Sequence, residues 1–178
     1  NTPRIIEIGS NDGTMLSNFI NSKHIGFEPS KSVHLSALKK KINSVNKYFN
    51  RMSFIEYKEF HKATDLIYAA NVICHIPDLK ELIETVDLAL SSDGIFIFEE
   101  PYLLSMINKT SYDQIYDEHI YIFSLSSIKN IFDDFGFELF FCEEIPTHGG
   151  SMRYYVARKG KKEITKELIY KLDNEKKN

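Results

Sequence analysis

Residues 4–14 read RIIEIGSNDGT, a short apolar run followed by a loop with two glycines four positions apart. The β-branched run 4–8 predicts a buried strand, because it is too short for a helix and ends at a glycine. We expect a helix to start at 12–14 and to continue through Ile20. A strand, a glycine loop and a helix in this order are typical of α/β domains that bind a ligand at one edge of the sheet.

Strands and helices alternate over the rest of the chain. Further strands are predicted near 24–27, 42–48, 65–70 and 95–99, and two last strands at 137–144 and 152–158. Helices are predicted after an N-cap at Ser30, near 54–60, and at 78–90 and 125–135, with a turn at 92–94 and a less regular stretch at 101–124. Alternation predicts a mostly parallel sheet with helices on both faces, and the short 146–150 loop predicts a terminal antiparallel hairpin.

Composition bounds the possible functions. The 178 residues suffice for one domain with a buried core, and the net charge of −3 gives no support for nucleic-acid binding. No apolar run approaches the roughly 20 residues of a membrane span. Cys74 and Cys142 fit neither a zinc pattern nor a disulfide framework, so we expect no metal and a reducing, cytoplasmic location.

Domain boundaries can also be predicted. We expect a ligand-binding domain at 1–159 and a charged segment at 160–178, which is either a surface helix or the start of a connection to another domain. Because the sequence begins at Asn1 and enters a strand almost at once, we also expect it to be a domain of a longer protein.

The loop and two acidic residues indicate the ligand. Asn11 stands where a GxGxxG motif has its second glycine, and Glu7 places an acid before the loop, where it would repel a pyrophosphate but accept an ammonium group. Glu28 ends the second strand, where a carboxylate can bind the two hydroxyls of an adenosine ribose. Together with the terminal hairpin, these features favour S-adenosyl-L-methionine over a dinucleotide. The alternative is that both acids are ordinary strand ends and the glycines only make turns.

We therefore predict a cofactor site built from the loop, the end of the second strand and the end of the fourth. Its residues are Glu7, Gly9, Ser10, Asn11, Asp12, Gly13, Glu28, Pro29, Ser30, Asn71 and Val72. Asn71 either binds the methionine part of the cofactor or closes the turn. His75 either lines the site or is a half-buried residue before Pro77.

Five segments carry a resemblance to a known family. They are EIGSNDGT at 7–14, GFEPS at 26–30, NVICHIP at 71–77, YDEH at 116–119 and HGGSMR at 148–153. In this order they resemble the sugar C-methyltransferases, whose members methylate nucleotide-linked keto-deoxysugars. The resemblance covers most of residues 4–158 and implies a Rossmann-like class I methyltransferase fold with S-adenosyl-L-methionine as the methyl donor and S-adenosyl-L-homocysteine as the product.

The resemblance also implies an acceptor site. His119 would be the general base that removes a proton next to a carbonyl group, a role that suits an imidazole near neutral pH. Glu118 would orient the imidazole or bind a substrate hydroxyl, and Tyr116 would stabilise the developing oxyanion. The predicted substrate-binding residues are His75, Tyr102, His148, Gly149 and Arg153. From the residues alone, 112–119 is equally well a polar loop, and 149–153 a plain hairpin turn.

Several alternatives stay open. Members of the family carry a zinc module with four cysteines before this domain and a further domain after it, and neither pattern occurs in these 178 residues. The expected acceptor is a sugar or a phosphorylated precursor of a surface glycan, methylated on carbon or on oxygen. The competing function classes are a non-catalytic module that binds S-adenosylmethionine and a nicotinamide-dependent oxidoreductase.

Overall fold

The computed structural model describes residues 2–177, and within this range it has seven strands and six α-helices. The strands are β1 (Arg4–Ile8), β2 (Lys23–Phe27), β3 (Ser44–Val45), β4 (Thr64–Ala70), β5 (Leu90–Pro101), β6 (Phe137–Ile145) and β7 (Ser151–Arg158). The helices are α1 (Lys31–Lys39), α2 (Arg51–Phe54), α3 (Leu79–Ala89), α4 (Leu103–Lys109), α5 (Leu125–Asp133) and α6 (Lys166–Glu175).

The sheet has the strand order β3-β2-β1-β4-β5-β7-β6. β1 pairs in parallel with β2 on one side and with β4 on the other, and β2 pairs in parallel with β3. β6 and β7 form the antiparallel pair, with a register irregularity between Leu139 and Phe141. The predicted fold class, a mostly parallel seven-stranded sheet with a C-terminal hairpin, is confirmed.

The chain forms two compact units, which β5 joins covalently. Unit 1 comprises the residues up to Ala70 together with Asp78–Phe96. One cluster of its buried side chains comprises Ile5 of β1, Leu16, Ala37 of α1 and Ile42. Because β1 is flanked by strands on both sides, four of its five residues are buried, as its continuous apolar pattern predicts.

Unit 2 comprises Asn71–Pro77 and the residues from Ile97 onward. The ring of Phe98 lies between those of Phe132 and Tyr154, with centroid distances of 5.6 and 4.9 Å. The C-terminal helix α6 belongs to this unit and buries Leu168. The carboxylate of Glu175, in the last turn of α6, accepts hydrogen bonds from the backbone N–H groups of Leu125 and Ser126, both at 2.8 Å.

The helix predicted from 12–14 to Ile20 is wrong. Only a four-residue 3-10 helix forms, at Leu16–Phe19. Asn11 and Gly13 have left-handed backbone angles, with φ of 50° and 78°, which interrupt a helix. The hydroxyl of Ser17 also donates to the carbonyl oxygen of Thr14 at 2.7 Å, a local bond of the kind that competes with helical hydrogen bonding.

The turn predicted at 92–94 is also wrong, because β5 runs unbroken from Leu90 to Pro101. Gly94 is needed for a different reason: a Cβ atom there would lie 2.5 Å from the backbone oxygen of Thr64. The glycine therefore permits a close backbone approach instead of a reversal of the chain.

Three other boundaries differ from prediction. The third strand shrinks to Ser44–Val45, and the helix expected at 54–60 is the short α2 followed by a 3-10 helix at Lys58–Phe60. The stretch 101–124 contains the helix α4 and a 3-10 helix at Tyr112–Gln114. Ser30 precedes α1 as expected, but its side chain makes no capping hydrogen bond there.

Within residues 2–177, every helix is too short or too polar to cross a lipid bilayer.

Candidate active site

The loop after β1 contains left-handed backbone conformations, which glycine and asparagine adopt most readily. Gly9, Asn11 and Gly13 all have positive φ, at 67°, 50° and 78°. A Cβ atom on Gly13 would approach Cγ1 of Ile42 to 2.8 Å, so this glycine is required by space as well as by angle. The N–H groups of Gly9 and Ser10 both donate to the carbonyl oxygen of Phe27, at 2.9 and 3.1 Å, and tie the loop to the end of β2.

Glu28 fastens this loop from the end of β2. Its Oε2 accepts the N–H of Asn11 at 3.0 Å and its Oε1 accepts the N–H of Ser30 at 2.7 Å. The residue is buried, with 8% of its surface exposed. Each carboxylate oxygen keeps a second lone pair, so the bonds that position Glu28 leave acceptors for the two hydroxyls of a ribose.

Glu7 has a buried carboxyl group with one oxygen that makes no hydrogen bond to the described residues. Only 7% of its surface is exposed, and its Oε2 has no hydrogen-bond partner among residues 2–177. Burial raises its pKa to about 8. A hydrogen bond from the Leu16 backbone opposes this shift, whereas repulsion from Asp12 and Glu28 adds to it. A buried acceptor of this kind is stabilised by a cation, so it fits the ammonium group of S-adenosylmethionine.

The other predicted cofactor residues of unit 1 differ in exposure. Asp12 faces solvent and pairs with Lys40 at 2.6 Å, and hydrogen bonds from Lys40 and Thr14 lower its pKa to about 2. Ser10 is buried, and its Oγ has no hydrogen-bond partner in the described residues. Pro29 and Ser30 are exposed. The loop thus presents unused acceptors at Glu7 and Ser10, whereas Asp12 is committed to Lys40.

In unit 2, the segment after β4 is held by two adjacent acids of β5. Asn71 has a φ of 53°, and its N–H donates to the carbonyl oxygen of Glu99 at 2.8 Å. Asn71 thus lies at a bend held to β5, and its Oδ1 is a buried acceptor without a partner among residues 2–177, so both predicted roles stay open. The side chain of Glu100 accepts the N–H groups of Val72 and Ile73 at 3.1 and 2.7 Å. Burial raises the pKa of Glu100, although these hydrogen bonds oppose the shift.

The tautomer of His119 follows from its hydrogen bonds. Nδ1 lies 2.7 Å from the carbonyl oxygen of Gln114, which can only accept, so Nδ1 carries the proton. In the neutral ring Nε2 is then the basic nitrogen, and the hydroxyl of Tyr116 donates to it at 2.8 Å. Burial, with the neighbouring Cys74 and Glu118, raises the pKa of Tyr116 and keeps its phenol protonated. Two hydrogen bonds of the ring thus place the Nε2 lone pair of His119 beside a phenol.

His75 forms a second imidazole of the same kind. Its Nδ1 donates to the carbonyl oxygen of Glu118 at 2.7 Å, so its Nε2 also bears the lone pair. The rings of His75 and His119 have centroids 5.0 Å apart. A depression of about 360 Å³ is lined by His75 together with Asp117, Glu118 and Ile120. The structure therefore brings together the predicted residues His75, Tyr116, Glu118 and His119.

The remaining predicted substrate residues have structural partners. Tyr102 is buried, and its hydroxyl donates to Glu175 at 2.9 Å. Arg153 forms ion pairs with Glu99 at 2.6 Å and with Glu143 at 2.9 Å. Two carboxylates therefore already balance the charge that a substrate phosphate would use.

The hairpin loop also has structural contacts. His148 is exposed with a φ of 50°, and the carbonyl oxygen of Gly149 accepts from the Lys109 ammonium at 2.6 Å. The roles predicted for His148 and Gly149 in substrate binding stay predictions.

Three residues at the site were not predicted: Cys74, Glu100 and Gln114. Gln114 contributes its backbone carbonyl oxygen, Cys74 is buried, and Glu100 accepts hydrogen bonds from backbone N–H groups. The residue type alone reveals none of these contributions. A signal existed only for Glu100, because the pair Glu99–Glu100 ends an apolar strand where a second acid in succession is unusual.

Comparison with known proteins identifies the domain type. Residues 1–140 match a family model described as a methyltransferase domain. The chain is 28% identical over 155 residues to the C-methyltransferase NovU of Streptomyces niveus. This match covers 86% of the present chain and 37% of that relative, so the chain spans well under half of the relative's length.

Solved structures support the fold. An S-adenosylmethionine-dependent methyltransferase from Mesorhizobium loti is similar with a TM-score of 0.68 at 14% identity, over 89% of this chain and 92% of that one. An O-methyltransferase from a Brevibacillus brevis multienzyme, in complex with S-adenosyl-L-homocysteine, is similar with a TM-score of 0.67 at 11% identity, over 100% of this chain and 74% of that one. At such identities the likeness concerns the fold.

Proposed function

The chain belongs to the methyltransferase domain family and is an S-adenosylmethionine-dependent methyltransferase, and on this basis we propose that it methylates a carbon atom of a sugar-type acceptor. The acceptor class is a nucleotide-activated or phosphorylated precursor of a surface glycan. The observation that carries the proposal is the fixed tautomer of His119, which leaves Nε2 as a base beside the hydroxyl of Tyr116. The similarity to a C-methyltransferase supports carbon as the methylated atom.

The residues proposed to hold the donor are the predicted cofactor residues of unit 1. Glu7 accepts the ammonium group and Glu28 the ribose hydroxyls, while the left-handed loop 9–13 brings backbone N–H groups close to the ligand. When bound, S-adenosylmethionine supplies an electrophilic methyl group on a positively charged sulfur. Family membership favours this donor over a nicotinamide cofactor, whose GxGxxG motif the loop lacks.

The proposed reaction begins with proton removal from the carbon next to the acceptor's carbonyl group. Nε2 of His119 takes the proton, and the C–H electron pair moves to form an enolate. The resulting imidazolium is stabilised because Nδ1–H keeps its bond to the Gln114 carbonyl oxygen. The hydroxyl of Tyr116, released from Nε2, turns to the enolate oxygen and donates to it. The enolate carbon would then bond to the methyl group supplied by the donor, the methyl–sulfur bond would break, and its electron pair would stay on sulfur to give S-adenosyl-L-homocysteine.

The depression lined by His75, whose ring centroid lies 5.0 Å from that of His119, suits an acceptor part that is rich in hydroxyl groups. Asp117 and Glu118 line it, and the residues that line it include no Lys or Arg. Carboxylates accept hydrogen bonds from sugar hydroxyls but repel phosphate, so we propose that the sugar ring lies here and the phosphates lie elsewhere.

Hydrogen–deuterium exchange tests the proposed base directly. A nucleotide-linked 4-keto-deoxysugar is incubated with the enzyme in D₂O without donor, and NMR follows the signal of the proton next to the carbonyl. We expect enzyme-dependent exchange that His119→Asn abolishes and that the matched variant His34→Asn, on α1, leaves intact. Methylated product must then show the new methyl on carbon. A methyl on oxygen, or exchange that persists in His119→Asn, contradicts the proposal.

A further inference from the structure

Three metal-ligating side chains meet in unit 2. Cys74, His75 and His119 each offer a ligand atom, and these atoms lie within 4.8 Å of one another. Cys74 is fully buried and the two histidines are half-buried. Thiolate and imidazole are the donors that zinc and similar borderline-soft cations prefer.

Both imidazoles have the tautomer whose lone pair lies on Nε2. In each ring Nδ1–H donates to a backbone carbonyl oxygen, that of Glu118 for His75 and that of Gln114 for His119, both at 2.7 Å. Such outer-shell bonds fix the tautomer and aim the Nε2 lone pair, and they are the usual support of histidine ligands. No hydrogen bond to Nε2 of His75 is made by the residues that the structure describes.

Geometry and access also suit a small cation. Ligand atoms of a tetrahedral zinc site lie about 3.3–3.6 Å apart, which follows from metal–ligand bonds of about 2.0–2.3 Å. Rotamer adjustments that shorten these separations by at most about 1.5 Å, from the 4.8 Å limit, would bring the three donors to that spacing. His75 also lines the depression of about 360 Å³, so one of the three ligands is reached from solvent.

We propose that Cys74, His75 and His119 form a site for a zinc-like divalent cation, and that its occupation inhibits the enzyme. When sulfur binds the ion, the thiol proton passes to the carboxylate of Glu100, its hydrogen-bond partner, and both histidines bind as neutral rings. Nε2 of His119 then has no lone pair for substrate, and the Tyr116 hydroxyl loses its acceptor. Three protein ligands leave a fourth position for water. The inhibitory part rests on the proposed function of His119, whereas the binding part does not.

Cobalt(II) is the probe for the binding part. The metal-free protein is titrated with CoCl₂, and absorption in the near ultraviolet reports a bond between thiolate and cobalt. We expect a band that saturates at one ion per chain and disappears on addition of ZnCl₂. Cys74→Ser should lose the band, and His75→Gln should weaken cobalt binding by more than the 10–100-fold typical of an outer-shell change. Cys142→Ser is the matched control, because Cys142 is the other buried cysteine, and it should keep the band.

Binding of S-adenosylmethionine to each variant verifies that it is folded. A band that survives in Cys74→Ser, or the absence of any thiolate band in the wild-type protein, overturns the proposal. For the inhibitory part, zinc should stop the deuterium exchange of the wild-type enzyme, and a chelator should restore it. Absence of exchange in metal-free enzyme would refute the proposed base and leave the cobalt result standing, so the two failures are distinguishable.

Discussion

The hydroxyl of Tyr116 donates to Nε2 of His119 at 2.8 Å, and this is the nitrogen that the proposed mechanism uses as its base. In the resting enzyme the phenol therefore occupies the lone pair that the acceptor's proton would take. In the proposed mechanism Tyr116 thus hydrogen-bonds to the base before reaction and donates to the oxyanion during it.

Tyr116→Phe tests this double role. Loss of a single donor to a developing oxyanion costs about 100–1000-fold in kcat, and release of the occupied lone pair offsets part of that loss. We expect kcat to fall by about 10–100-fold with the affinity for S-adenosylmethionine unchanged, measured by steady-state kinetics and by calorimetry. Tyr112→Phe, at an exposed tyrosine of the same segment, should behave as wild type. Equal activity of both variants would remove Tyr116 from the mechanism.

Glu7 predicts pH-dependent binding of the donor. Its pKa of about 8 leaves it largely neutral at pH 7, and the ammonium group of the donor binds best to the carboxylate. The affinity for S-adenosylmethionine should therefore increase as pH rises from 6.5 to 8.5. Glu7→Gln should bind the donor more weakly and lose this slope, as measured by calorimetry in buffers across that range. An identical slope in the variant would assign the pH dependence to another group.

The same substitution should stabilise the protein without ligand. A carboxyl whose folded pKa lies above its unfolded value costs stability as pH rises from about 4.5 to 8, because the folded state resists ionisation. We expect Glu7→Gln to match wild type at pH 4.5 and to exceed it at pH 8.5 by on the order of a few kcal/mol. Urea unfolding at both pH values measures the difference. A variant that is less stable at pH 8.5 would show that Glu7 is not strained by burial.

Glu175 links the end of α6 to the start of α5. Burial opposes its charge, but hydrogen bonds from Ser126, Leu125 and Tyr102 outweigh this and hold its pKa below the usual value. Glu175→Gln should cost about 1–2 kcal/mol of unfolding free energy at pH 7, the range for loss of a helix cap with its charge. Because the folded pKa lies below the usual value of 4.5, the cost should shrink as pH falls from 4.5 through that lower pKa. Asp173→Asn, exposed on the same helix, should have little effect in the same urea titrations.

Arg153 is expected to stabilise unit 2 more than it serves substrate. Its guanidinium pairs with Glu99 and Glu143, and the side chain is 31% exposed. Arg153→Gln should lower the unfolding free energy by about 1–2 kcal/mol, a discounted value for a partly exposed pair. The KM for the acceptor should change less than threefold. A large rise in KM at unchanged stability would instead support the predicted substrate role.

The sequence predicted elements whose pattern is local. The run Arg4–Ile8 became β1 because its apolar side chains suit a strand buried on both faces. The helix α3 follows its N-cap Asp78, whose side chain accepts the N–H of Glu81. In both cases the deciding interactions lie within a few residues of one another.

Elements that depend on distant contacts were not predictable. The turn expected near Gly94 became strand because that glycine packs on the backbone of Thr64, thirty positions earlier. Glu100 enters the site through hydrogen bonds to N–H groups of Val72 and Ile73, a connection that no spacing in the sequence indicates. The tautomer of His119 likewise depends on a carbonyl oxygen, and every residue has one.

The position of Glu175 has a practical consequence for protein engineering. A truncation before this residue would remove the acceptor for two N–H groups of α5 and for the hydroxyl of Tyr102, although the deleted residues look like a charged tail. We would therefore place affinity tags, fluorescent labels or fused partners beyond Lys177. Limited proteolysis of this tail should reduce the thermal stability of the whole of unit 2, and bound donor should offer it little protection.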